Sequence, residues 1–163
     1  MCRWKPAEGV LLQEKTSSPT LSNDAFFLTL LFDANERRDV ATANAVGAYL
    51  HAFMTDFVLM KFNGKMVELM CKINPNYIAY VTMERSVRTL YIELNKALYG
   101  CVQSALLWYK TFSRALKESG FTVNPYDPCM ANATIKESQC TIAWFVNNNK
   151  ISHKDPEVVM DVI

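Results

Sequence analysis

The chain has 163 residues, 50% of them hydrophobic and 20% charged, which is typical of a folded globular domain and not of a disordered segment. Its formal net charge of +1 excludes the overall basic field that attracts nucleic acid without specificity. Five cysteines lack the spacing of zinc or redox sites, and no apolar run approaches the roughly 20 residues that span a bilayer. Because the cysteine count is odd and no secretory leader is evident, we expect a soluble intracellular protein, cytoplasmic or nuclear.

The N-terminal part of the chain predicts one helix after an irregular start. Residues 1–20 show no core pattern, and Ser22 or Asn23 then caps a helix that runs to about Arg37. The spacing of its apolar residues predicts a stripe of Phe26, Phe27, Leu30, Leu31 and Ala34.

The middle of the chain predicts strands. Residues 39–46 predict a short buried strand. Asn63-Gly64 supplies the positive φ angles that a tight turn needs, which predicts a hairpin joining residues 57–62 to residues 66–70. Residues 89–94 alternate like a further strand.

The C-terminal half carries the strongest local signals. Residues 101–119 predict a helix with one apolar stripe, which ends at Gly120. Residues 140–146 and 150–153 predict two strands joined by an asparagine-rich turn, and Asp155 caps a last helix. Because helices and strands mix without strict βαβ alternation, the sequence predicts an α+β fold with helices packed on one face of an antiparallel sheet.

Several motifs follow one another in a fixed order along the chain. They are Ser18-Pro19-Thr20, Leu98-Tyr99-Gly100 with Gln103 and Trp108-Tyr109, Gly120-Phe121, and Tyr126-Asp127-Pro128-Cys129. Together they resemble the Ser-Pro-Thr, Leu-Tyr-Gly-x-x-Gln-x-x-x-x-Trp-Tyr and Gly-Phe…Asp-Pro-Cys elements of the reverse transcriptase domain of copia-type retrotransposons. The resemblance covers residues 16–163, and the order of the motifs makes it specific.

Two further motifs resemble those that carry the catalytic carboxylates of that family. Phe145-Val146-Asn147-Asn148 is similar to its Tyr-Val-Asp-Asp hairpin, and residues 44–50 are similar to its Asp-x-x-x-Ala-aromatic-Leu motif. In this chain, asparagine stands at each of the three positions where the family has a metal-binding aspartate: Asn44, Asn147 and Asn148.

The resemblance implies a polymerase palm-like domain over residues 21–163, with residues 1–20 as a remnant of the fingers and the thumb truncated. It also implies nucleotidyl transfer on an RNA/DNA primer-template by two Mg²⁺ ions, and the rest of a polyprotein as a partner. The same resemblance places a nucleotide-binding role on Tyr49, Tyr99 and Gly100.

Replacement of the carboxylates predicts loss of this chemistry. Carboxylates and phosphate oxygens hold Mg²⁺, whereas an amide offers an oxygen of similar shape without charge. We therefore expect no bound metal and a rate lower by on the order of a thousandfold or more. The substitutions preserve volume and hydrogen bonding, so we expect the fold to persist.

Other interpretations of the same residues stay open. Asp39 could replace Asn44, although five positions along a strand place the two side chains on opposite faces. The asparagine run also fits an ordinary turn, Tyr49 fits a core aromatic, and Tyr99-Gly100 fits a helix start. Basic residues that either line a template groove or form a solvated face are Lys61, Lys65, Lys72, Arg85 and Arg88.

The sequence thus favours a reverse transcriptase fragment that no longer polymerises. The first alternative is a non-catalytic module, derived from the same fold, that binds nucleic acid or protein. The second is an active polymerase that uses Asp39 or a partner chain.

Overall fold

The computed structural model describes residues 16–163, so most of the predicted irregular segment 1–20 lies outside the described residues. The described helices are α1 (Asn23–Glu36), α2 (Lys65–Ile73), α3 (Ser104–Glu118) and α4 (Pro156–Val162). The strands are β1 (Asp39–Asn44), β2 (Leu59–Asn63), β3 (Thr82–Glu84), β4 (Val87–Glu93), β5 (Thr122–Val123), β6 (Met130–Ile135), β7 (Ser138–Phe145) and β8 (Asn148–His153). Short 3₁₀ helices span Ala48–His51 and Pro75–Tyr80. The predicted α+β class is confirmed.

Five strands form the larger sheet in the order β1-β8-β7-β6-β5, and all neighbours are antiparallel. The predicted hairpin of β7 and β8 is present, with Phe145 opposite Asn148. On the other side of β8 lies the edge strand β1, in which Asn44 is opposite Asn148. The prediction of a buried strand here is wrong, because an edge strand lacks one neighbour and β1 has only exposed and half-buried residues.

Helices cover both faces of the larger sheet. Lys150 and Ile151 are successive residues of β8, so their side chains point to opposite faces. Lys150 donates hydrogen bonds to Thr29 and Asp33 of α1, whereas Ile151 belongs to the core cluster shared with α3 and α4. The predicted placement of all helices on one face is wrong, because β8 buries both its faces: Lys150 is 7% exposed and Ile151 3%.

The main core lies between this sheet and the helices α3 and α4. Trp144 of β7 is 2% exposed and meets the ring of Phe112 edge-on, with ring centroids 5.4 Å apart. The other buried members of the cluster are Leu116, Phe121, Cys129, Ala131, Cys140, Ile142, Ile151, Val158 and Val159. Gly120, with a φ of 89°, ends α3 as predicted, and α4 begins at the predicted cap.

Helix α1 begins where the sequence predicts, and Ser22 Oγ accepts a hydrogen bond from the Ala25 amide as its cap. The predicted apolar stripe does not face the core, because Phe27 is 61% exposed and Leu31 is 67% exposed. The sheet presents a lysine to this helix, and α1 therefore turns its polar side inward. The buried residues of α1 are Thr29 and Asp33.

A second sheet has the order β2-β4-β3, and β4 confirms the strand predicted near residues 89–94. The hairpin predicted at Asn63-Gly64 is wrong, because the chain runs from β2 directly into α2. Gly64 has the expected positive φ, at 54°, but it precedes a helix. Residues 65–73 are rich in unbranched helix formers, and Val67 anchors the helix at 0% exposed.

Candidate functional site: three amides at the β7–β8 turn

The β7–β8 turn contains a strained residue that α3 holds in place. The two residues of the turn are Val146 and Asn147. Val146 has a positive φ of 57°, which β-branched residues rarely adopt. Trp108 of α3 is 7% exposed, and its indole Nε1 donates a 2.6 Å hydrogen bond to the Val146 carbonyl oxygen. This hydrogen bond fixes the turn to α3, which packs against the sheet in the main core.

Three asparagines meet at this turn. Asn44 Nδ2 donates to Asn148 Oδ1 at 2.9 Å, across 104 positions of sequence. Asn147 Nδ2 donates to Asn44 Oδ1 at 3.2 Å, and the Ala45 amide donates to the Asn147 carbonyl oxygen at 2.8 Å. The structure therefore brings together the three positions singled out by sequence. We call Asn44, Asn147 and Asn148 the amide cluster.

The amide cluster is neutral, and part of its hydrogen-bonding capacity is used internally. The side-chain oxygens of Asn44 and Asn148 each accept a bond from a neighbouring amide. Mg²⁺ dehydrates reluctantly and is held by charged oxygens. These residues do not fit a magnesium ion, because they offer no negative charge and two of their three oxygens already have donors. Within residues 16–163, no group of three or more His, Cys, Asp or Glu side chains could hold a metal.

The two carboxylates nearest to the cluster in sequence do not replace the missing charge. Asp39 pairs with His153 at the far end of β1, five positions from Asn44 and on the opposite face, as expected. At roughly 3.3 Å per residue this separation is about 16 Å. Asp155 accepts a 2.8 Å hydrogen bond from Lys136 Nζ, which is the main cause that lowers the pKa of Asp155. Asp39 therefore lies too far from the amide cluster to supply its charge, and Asp155 is paired with Lys136.

Tyr49 and Tyr99 lie together, with ring centroids 4.3 Å apart. Burial raises the pKa of Tyr49, and the neighbouring Tyr99 adds to the effect. Gly100 has a φ of 93°, and a Cβ there would meet nothing within 4 Å, so glycine is favoured for its backbone conformation and not for space. The ring of Trp108 lies 6.2 Å from that of His51, which is two residues after Tyr49.

A pocket of about 430 Å³ opens beside the amide cluster, between the start of α1 and the sheet. Its walls include Phe26, Phe145 and Ala143 together with the amides of Asn44 and Asn148. Among the described residues that line the pocket, the only charged one is Lys150, which is paired with an aspartate of α1.

The ion pair between Lys150 and Asp33 was not predicted from the sequence. Lys150 and Asp33 have side chains that are each 7% exposed, and Lys150 Nζ also donates to Thr29 Oγ1 at 3.1 Å. The only local signal was on α1, where the polar residues Thr29 and Asp33 are one helical turn apart within an apolar helix. The spacing of these residues along the chain does not indicate that Lys150 contacts Thr29 and Asp33.

The basic residues considered for a template groove do not form one surface. Lys61 donates to Glu84, and this hydrogen bond is the main cause that raises the pKa of Lys61. Lys61 is opposite Tyr91 on β4, whereas Arg88 lies an odd number of positions from Tyr91 and therefore on the other face. The solvated-face interpretation suits these two residues better.

Comparison with protein-family models, with curated protein sequences and with solved structures found no match to this chain. No helix in the described part of the chain is both long and apolar enough to cross a membrane.

Proposed function

We propose that residues 21–163 form a palm-like domain of a copia-type reverse transcriptase that has lost its metal-binding carboxylates and does not polymerise DNA. One observation supports this above the others. Asn44 lies more than 100 residues from Asn147 and Asn148, yet it forms hydrogen bonds to both. Ordinary turn asparagines would not require a third amide from a distant strand.

The strand arrangement supports the same proposal. The resemblance requires the first motif to end beside the hairpin, and β1 is hydrogen-bonded to β8 along its whole length. The end of β1 and the turn of the hairpin lie side by side, which places the side chains of Asn44, Asn147 and Asn148 together at the ends of these strands. Two-metal transfer needs ligands close enough together to hold ions about 3.5–4 Å apart.

The loss of nucleotidyl transfer follows from the loss of the negative charges that would hold the metal ions. Two-metal transfer needs anionic ligands that hold the ions in place, and the amide cluster supplies none. Because a metal ion supplies several kcal/mol of transition-state stabilisation, its loss lowers the rate by on the order of a thousandfold or more.

Primer extension on an RNA template tests the proposal. With Mg²⁺ or Mn²⁺, the chain as it stands is expected to give no product. Robust metal-dependent synthesis by this chain would overturn the proposal.

A reversion experiment tests the same positions independently of activity. The triple variant Asn44→Asp, Asn147→Asp, Asn148→Asp is expected to gain Mn²⁺ binding even if the fragment cannot extend a primer. Asn35→Asp is the matched control, because Asn35 is an exposed asparagine of α1. Equal Mn²⁺ binding by the control and the triple variant would contradict the assigned metal positions.

A protein-interaction role is the second candidate, and the surface of α1 favours it. Phe27, Leu28, Leu31 and Phe32 are each more than 50% exposed on this helix. An apolar helix surface of this kind is typical of protein interfaces. We propose that this face of α1 contacts a protein partner, such as another part of the same polyprotein.

Binding of an RNA–DNA hybrid separates this role from a nucleic-acid-binding one. An affinity that falls steeply with salt would favour nucleic acid as the partner. Absence of hybrid binding, together with loss of a captured protein partner in Leu31→Lys, would favour the protein interface.

A further inference from the structure

The pocket beside the amide cluster combines apolar walls with unused polar atoms. Its volume of about 430 Å³ lies in the range of sites for small molecules. Phe26 and Phe145 line it with aromatic surface, and Ala143 lies in its wall at 2% exposed. Such walls favour an occupant with flat apolar faces.

One amide of the cluster has free donors at this wall. Asn148 Oδ1 accepts from Asn44, but Asn148 Nδ2 donates to no partner within residues 16–163. Asn23, at the start of α1, also lines the pocket, and its side-chain amide makes no hydrogen bond within the same residues. The wall therefore offers both donor and acceptor positions to an occupant.

The charge of the pocket selects against ions. Lys150 is the only charged lining residue within residues 16–163, and the carboxylate of Asp33 already neutralises that cation. An anion would have to compete with Asp33 for the ammonium, and a cation would meet no carboxylate among the described lining residues. A neutral occupant pays the smallest desolvation cost on entry.

We propose that this pocket binds a small uncharged planar ring that carries a primary amide or lactam edge. The faces of the ring pack against Phe26 and Phe145. The carbonyl oxygen of the ligand amide accepts a hydrogen bond from Asn148 Nδ2, and the N–H group of that amide donates to the side-chain oxygen of Asn23. The proposal depends on the pocket alone and holds whether or not the chain derives from a polymerase.

Titration of the chain with nicotinamide, followed in ¹H–¹⁵N NMR spectra, tests the proposal. A ligand of this size is expected to bind with a Kd on the order of 1 mM. The largest shifts are expected at the side-chain amides of Asn148 and Asn23 and at the backbone of Ala143. Nicotinate has the same ring with a negative charge, and N,N-dimethylnicotinamide lacks the N–H groups, so both are expected to bind at least about fivefold more weakly.

Two variants complete the experiment. Asn148→Ala is expected to raise the Kd by about fivefold, the effect of one lost hydrogen bond. Asn148 is exposed, so the variant keeps the fold, and Asn35→Ala on the outer surface of α1 is the matched control with an unchanged Kd. Absence of saturable shifts up to the solubility limit of nicotinamide would overturn the proposal. Equal binding of nicotinate, or shifts centred outside the pocket, would overturn it as well.

Discussion

Restoring the carboxylates of the amide cluster is expected to lower the stability of the fold without metal, and bound metal is expected to restore part of that loss. In the triple variant Asn44→Asp, Asn147→Asp, Asn148→Asp, carboxylate oxygens replace atoms that are now 2.9 and 3.2 Å apart. Two unit charges at about 4 Å repel by about 1 kcal/mol in water and about 4 kcal/mol at an effective dielectric constant of about 20. Asn44 and Asn148 are exposed, so about 1–2 kcal/mol per pair applies.

The two lost amide hydrogen bonds add roughly 0.5–1.5 kcal/mol each. The total of about 3–7 kcal/mol corresponds to a fall of at least about 6 °C in Tm for a chain of this size. Like charges raise carboxylate pKa values, so the penalty is present at neutral pH and disappears as the pH falls through those raised values.

Thermal unfolding with and without divalent cations measures this effect. Mg²⁺ or Mn²⁺ at about ten times its Kd is expected to restore about 1.4 kcal/mol, or a few degrees of Tm. Asn35→Asp controls for added charge and is expected to show neither the fall nor the recovery. A triple variant that unfolds like the parent chain, with or without metal, would show that the three side chains do not converge.

Three further predictions concern the surroundings of the site. Asp33→Ala is expected to destabilise by about 3–5 kcal/mol in urea unfolding, because it strands a buried Lys150 charge, whereas Asp33→Leu with Lys150→Met is expected to cost much less; equal losses would contradict this. Asn149→Leu is expected to stabilise by about 1–2 kcal/mol, because the buried Asn149 Oδ1 accepts no hydrogen bond within residues 16–163, and a lower urea midpoint would refute it. Lys136→Met is expected to move the midpoint of acid unfolding to higher pH. Lys136 holds the pKa of Asp155 below its ordinary value of 3.8. The stability that the Asp155 carboxylate contributes is therefore present above pH 3.8 and is lost as the pH falls through the lowered pKa.

Local signals in the sequence were sufficient to predict the elements whose ends are marked by residues with strong conformational preferences. The C-terminal end of α3 and the start of α4 follow from Gly120, Asp155 and Pro156, whose conformational preferences act within one turn. The β7–β8 hairpin was likewise predictable from two apolar runs around a polar turn. These elements carry the core.

Elements decided by distant partners were not predictable. The inward face of α1 is set by Lys150, 117 positions beyond Asp33, and no periodicity within the helix reports that partner. The Asn63-Gly64 signal was ambiguous, because the positive φ of Gly64 suits entry into a helix as well as a hairpin. The short strands β3, β5 and β6 escaped prediction because they depend on pairing more than on local pattern.

The amide cluster was predictable only in part. The order of the motifs suggested that Asn44 and the hairpin asparagines belong to one site, and the strand register places them in hydrogen-bond contact. Composition and spacing alone could not have joined residues on β1 and β8. The pocket beside them required the position of α1, which the sequence did not supply.

Paramagnetic broadening by Mn²⁺ in ¹H–¹⁵N NMR spectra tests the central claim most directly. For the chain as it stands, the side-chain amides of Asn44, Asn147 and Asn148 are expected to show no selective broadening, and in the triple aspartate variant the backbone amides of the same residues are expected to broaden first. Selective broadening at these asparagines in the unaltered chain would contradict the account, as would its absence from the triple variant.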